Sequence, residues 1–171
     1  SSGEGGKDDS IAAIKSVPMP ATSLSFDGLT NFDNIAAYNL VILPPDMIGD
    51  VGPDHYVQAV NSLFRVYDKS GTPLTAPIKL SQLFEPLGTP CATRNDGLPT
   101  VLYDPLADRW LISQFAFASQ TTPPWHECIA ISQTGDATGA YFAYDFVVPP
   151  LPLAGGGFPD YPKLGVWHNG Y

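Results

Sequence analysis

The residues with the clearest chemical potential are aspartates set shortly before prolines. Asp50-Val-Gly-Pro53, Asp96-Gly-Leu-Pro99 and Asp160-Tyr-Pro162 each stand before a short apolar run. If those runs are the innermost strands of successive sheets, the three carboxylates converge near one face. Oxygen-rich loops of Asp and backbone carbonyls suit Ca²⁺, which takes six to eight oxygen ligands. Asp50, Asp96 and Asp160 are therefore the candidate metal ligands, with Asp46 and Asp54 flanking the first. The plainer alternative is that each aspartate caps its own turn through backbone N–H groups. No EF-hand loop pattern is present.

Catalytic patterns are weaker. His55, His126 and His168 are far apart, and the sequence holds neither HExxH nor GxSxG. The only arginines, Arg65, Arg94 and Arg109, form no signature for an anionic substrate. No catalytic residue is named, and the balance lies against an enzyme. Among the aromatics, most read as core between sheets. Trp125, in the proline-rich stretch Thr121-Thr-Pro-Pro-Trp-His126, is expected to be exposed. Together with Tyr161 and Trp167 it forms the candidate ligand-binding set, with rings able to stack on a sugar.

Cys91 and Cys128 are the only cysteines, and their spacing excludes CxxC redox and zinc-ribbon motifs. They are either one disulfide or two buried thiols. Few lysines and abundant Asn, Gly, Pro and Thr favour an extracellular protein, and with it the Cys91–Cys128 bridge. Seventeen acidic against eight basic side chains give a net charge of −9. That excludes a nucleic-acid backbone binder, which needs clustered Lys and Arg. No apolar run is long enough to span a bilayer, and no signal-peptide h-region is visible.

The elements that must position these residues read as strands. Charged residues make up only 15% of the 171, while Gly 16 and Pro 18 punctuate the chain heavily. Period-two runs fall at 56–61, 63–68, 100–104, 109–116, 128–132 and 140–147, and a further run starts at 163–167. Residues 24–43 read as irregular, 44–53 as a dense loop, and no stretch shows a helical stripe. The chain is expected to be all-β. Residues 1–22 form an N-terminal linker, and residues 23–171 form a β-propeller-like domain of four-stranded antiparallel blades. At blade size, that is about two blades plus the first strand of a next. A closed propeller needs more, so the sheet set is expected to be completed by the remainder of a longer chain or by another protein chain.

Four ordered stretches carry a resemblance. They are Leu43-Pro-Pro-Asp-Met-Ile-Gly-Asp-Val-Gly-Pro-Asp-His-Tyr-Val-Gln58 and Asn95-Asp-Gly-Leu-Pro-Thr-Val-Leu-Tyr-Asp-Pro-Leu-Ala-Asp-Arg-Trp110. Glu127-Cys-Ile-Ala-Ile-Ser132 with Thr138-Gly-Ala-Tyr141 follows, and Phe158-Pro-Asp-Tyr-Pro-Lys-Leu-Gly-Val-Trp167 closes the set. Over residues 43–171 the chain resembles a family of secreted bacterial β-propeller-like surface proteins. The resemblance implies an exported protein standing beside adhesive or cell-wall modules, and no particular reaction. Leu98 and His168-Asn169 depart from the family pattern and remove carboxylates from two strand entrances. The expected function is a non-catalytic binding or assembly module at the cell surface, with a protein or glycan ligand. The alternatives are a carbohydrate-active hydrolase with its catalytic groups outside this segment, and a structural subunit of an extracellular assembly.

Overall fold

The computed structural model of the chain describes residues 18–150 and 157–171. Two four-stranded antiparallel sheets follow one another, each a meander in sequence order. The first holds β1 (Ile48–Val51), β2 (His55–Val60), β3 (Leu63–Asp68) and β4 (Ile78–Lys79). The second holds β5 (Thr100–Asp104), β6 (Arg109–Phe117), β7 (Trp125–Ser132) and β8 (Tyr141–Val148). Between them run a 3₁₀ segment (Leu80–Leu87) and a single helical turn, α2 (Pro90–Thr93). Helix α1 (Asn31–Tyr38) precedes both sheets. The fold is mainly β, and neither sheet closes on itself.

Strand periodicity explains how the sheets face each other. In β2–β3, Val57 stands opposite Val66 and Ala59 opposite Phe64. In β5–β6, Val101 stands opposite Ile112. These alternate residues share one core with Leu80, Trp110 and Ala137, all essentially without exposed surface. A fully buried large apolar side chain contributes roughly 1.5–3 kcal/mol, so this layer dominates the stability of the pair. A second cluster, Phe84, Cys91, Ala116, Cys128 and Ala130, seats the 3₁₀ segment and α2 on β6–β7.

The opposite faces are covered by the chain's flanking segments. Leu29, with Ala37 and Tyr38, packs on Val60 and Leu63 of the first sheet. Phe26 meets Tyr56 and Tyr67 beside it. On the second sheet, Phe158 lies within 5.5 Å, centroid to centroid, of the rings of Phe115, Phe117 and Trp125. The Tyr171 hydroxyl donates to Asp104 Oδ2 at 2.9 Å.

Three expectations need correction. Residues 31–38 are helical because Thr30 caps them: its Oγ1 accepts from Phe32 N–H, and Asp33 accepts from Thr30 N–H at 2.7 Å. Eight residues are too few for a visible stripe, and docking combines Ala37 and Tyr38 on Val60 and Leu63 with polar contacts, Asn34 to Asn61 O and Tyr38 to Ser62 O. Residues 48–51 form a strand despite their flanking Pro and Gly, because β2 offers a full ladder from Ile48–Ala59 to Val51–Tyr56. No strand forms at 163–167, where Trp167 and Gly170 make an isolated bridge. Of the 1–22 linker, residues 18–22 are exposed coil, and residues 1–17 lie outside the described part.

Candidate functional site

Asp50 lies on β1 and spends both carboxylate oxygens on backbone. Oδ1 accepts from Val51 N–H at 2.8 Å, and Oδ2 from Tyr103 N–H of β5 at 2.7 Å. Asp96 takes Arg94 in a two-point ion pair at 2.7 and 3.2 Å and also accepts from Phe117 N–H at 2.8 Å. Asp160 is exposed. Asp46 accepts from Asn61 Nδ2 and from the Tyr161 hydroxyl. The compact group of potential metal ligands found among the described residues includes none of Asp50, Asp96 and Asp160. Asp50 and Asp96 act as clasps of backbone N–H groups on distant strands, Tyr103 and Phe117, rather than each capping only its own turn.

The aromatic set also separates. Trp125 is not an exposed ring: it opens β7 and retains only 2% of its surface. Its indole N–H donates to Ser119 O at 2.8 Å, and Phe158 meets its ring edge-on. The flanking prolines concealed that the strand begins at Trp125 and not at Cys128. Tyr161 and Trp167 are exposed at 52% and 68%. Lys163 lies over the Tyr161 ring, and Trp167 lies against His168.

One group of metal-ligating side chains is compact among the described residues. Cys91 and Cys128 form the expected disulfide, which ties α2 to β7 with 5.7 Å between Cα atoms. On β7, His126 and Cys128 point to the same face, and Asp145 of β8 stands directly opposite Cys128. His126 Nδ1 and Asp145 Oδ1 are 2.6 Å apart, so the imidazole N–H donates to the carboxylate. Ligand atoms of Cys91, His126 and Asp145 all lie within 4.8 Å of one another. His126 also lines a cleft of about 390 Å³ with Thr89, Thr93, Arg94 and Pro124. The Thr89 hydroxyl is buried there without a hydrogen-bond partner among the described residues. Sequence spacing hides this cluster, because His126 and Asp145 meet only once β7 and β8 are in register.

The other face of the second sheet carries a buried acid and a bare apolar strip. Glu127 sits opposite Phe115 on β6 and Phe146 on β8. Burial pushes its carboxyl up to about 7, and the Ser113 hydroxyl only tempers the shift. Phe142, Tyr144 and Phe146, alternate residues of β8, are exposed at 53%, 45% and 52%. The rings of Tyr144 and Phe146 are 6.3 Å apart and nearly parallel. Among the described residues, β8 has one hydrogen-bonded neighbour in its sheet, β7.

Compared with known proteins, the chain matches no family model, no curated protein and no solved structure. No helix among the described residues is long and apolar enough to cross a membrane.

Proposed function

We propose that the chain is a binding and assembly module of an exported surface protein, in which the β8 side of the second sheet receives a further antiparallel sheet from another protein chain. The observation that carries the reading is the strip Phe142, Tyr144 and Phe146. Three large rings at every second position form the inward half of a strand pattern that normally faces a partner layer. The strip continues past the area where Phe158 covers the same sheet. The module would then repeat outward the arrangement it already contains, one four-stranded meander packed on the next, as successive blades of a propeller do. The β8 edge, unpaired among the described residues, adds backbone groups for strand addition. The disulfide suits an oxidising compartment, and the acidic surface suits a soluble partner-facing domain.

The test is a photo-crosslinking residue in place of Tyr144, in the full protein as its source cells make it. Adducts should map to an alternating apolar strand of another polypeptide, and Phe146→Asp should abolish them. Adducts within the same chain would replace the partner by a further sheet of this protein. Adducts no different from those of a probe at exposed Leu106 would sink the reading.

A further inference from the structure

We infer that the Cys91–Cys128 disulfide masks a zinc site: reduction converts Cys91, Cys128, His126 and Asp145 into a Cys₂HisAsp set for one Zn²⁺. The inference rests on the geometry around the bridge and on none of the aspartates at the strand entrances.

A structural disulfide needs only its two sulfurs. Here a buried imidazole and a carboxylate already stand within ion-binding reach of Cys91. Three of the four groups are fixed by the β7–β8 ladder: His126 and Cys128 two residues apart on one face, Asp145 across from Cys128. A site is most selective when such a framework holds its ligands in place before the metal arrives. The fourth group, Cys91, sits on α2, a single turn of four residues between two connecting segments. It is the ligand best able to shift, since the two bonded sulfurs must move to about 3.7 Å apart to share a tetrahedral zinc. Two thiolates, an imidazole and a carboxylate are a ligand set that suits Zn²⁺, with bonds of about 2.0–2.3 Å, once Cys91 and Cys128 part.

The chemistry balances with a thiol reductant. Two external thiols, R–SH, give up two electrons and two protons, leaving R–S–S–R and the free thiols of Cys91 and Cys128. Zn²⁺ then displaces both thiol protons to solvent. The hydrogen bond between His126 and Asp145 is exchanged for one metal bond from each, the ring proton moving from Nδ1 to Nε2 as Nδ1 takes the ion. Reoxidation reverses the sequence, expels the ion and remakes the bridge. The site therefore holds either a disulfide or a metal, never both.

The probe is Co²⁺, added to the full chain under anaerobic conditions after reduction and removal of the reductant. One equivalent should produce the visible bands of tetrahedral cobalt with thiolate charge-transfer absorption in the near ultraviolet, and Zn²⁺ should displace it. The disulfide form should give no such spectrum. His126→Asn and Asp145→Asn should each weaken binding by roughly tenfold or more. Circular dichroism follows the fold throughout. If reduction unfolds the chain, Zn²⁺ should restore the native spectrum during reduction, and failure to do so overturns the proposal. It is equally overturned if the folded reduced protein gives no charge-transfer band, or if the His126 and Asp145 variants bind Co²⁺ as tightly as the parent.

Discussion

Asp50 Oδ2 and the backbone N–H of Tyr103 meet at 2.7 Å, joining β1 of the first sheet to β5 of the second across 53 residues of sequence. The same carboxylate holds Val51 N–H, so one side chain fixes the first strand of one sheet against the first strand of the next. Hydrogen bonds to a charged acceptor contribute roughly 1.5–3 kcal/mol when partly buried. Asp50→Ala should lower the unfolding free energy by an amount in that range, read as a lower urea midpoint with an unchanged m-value. Asp50→Asn, which keeps an acceptor, should lose less. Equal stability of all three proteins would show that the clasp contributes nothing.

Gly52 marks the tightest point of the same junction. A Cβ at this position would stand 2.7 Å from the Trp110 ring and 3.1 Å from the Tyr103 ring. Trp110 has no exposed surface and no room to retreat, and its indole N–H is committed to Gly135 O. Gly52→Ala should therefore destabilise by about 1–3 kcal/mol through overpacking. Gly165, where nothing stands within 4 Å of a Cβ, is the control: Ala there should be close to neutral in thermal unfolding.

What the sequence discloses and what it hides follow from range. The β3 and β5 runs, 63–68 and 100–104, match the observed strands residue for residue, because alternation and turn residues are local signals. The bridge between Cys91 and Cys128 was legible because no other cysteine competes. Helix α1 was not, since its evidence is one capping box, the packing of Ala37 and Tyr38, and two polar contacts to Asn61 and Ser62 rather than a stripe. The roles of Asp50 and Asp96 depended on which distant N–H groups came near them. Pro123 and Pro124 disguised the start of β7 at Trp125, and the juxtaposition of His126 with Asp145 exists only through strand register.

Glu127 gives the disulfide-bonded protein a pH dependence of known sign. Its carboxyl titrates at about 7 in the fold against 4.5 when free of it. Between those values the native state binds the extra proton, so stability falls as pH rises and levels off above 7. The full loss is roughly 3 kcal/mol, at 1.36 kcal/mol per unit. Glu127→Gln should be more stable than the parent at pH 8 by an amount of that order and little different at pH 4. A parent protein as stable at pH 8 as at pH 5, relative to the Gln variant, would mean that the carboxylate finds a partner when ionised.

The strip on β8 yields the sharpest separation between core and contact surface. Phe142, Tyr144 and Phe146 keep about half of their surface in water, whereas Phe115, on the same sheet face, keeps 1%. A side chain already hydrated has little burial energy to lose. Tyr144→Lys and Phe146→Lys should change the folding free energy by only about 0.5 kcal/mol each. Phe115→Ala should cost roughly 3–5 kcal/mol. The two lysine variants should also reduce binding of a dye that reports exposed apolar surface, in proportion to the ring area removed. A large loss of stability on replacing Tyr144 and Phe146 would place those rings in the core of this chain. The strip would then be structural, and the outward-facing sheet contact would have to be sought elsewhere on the molecule.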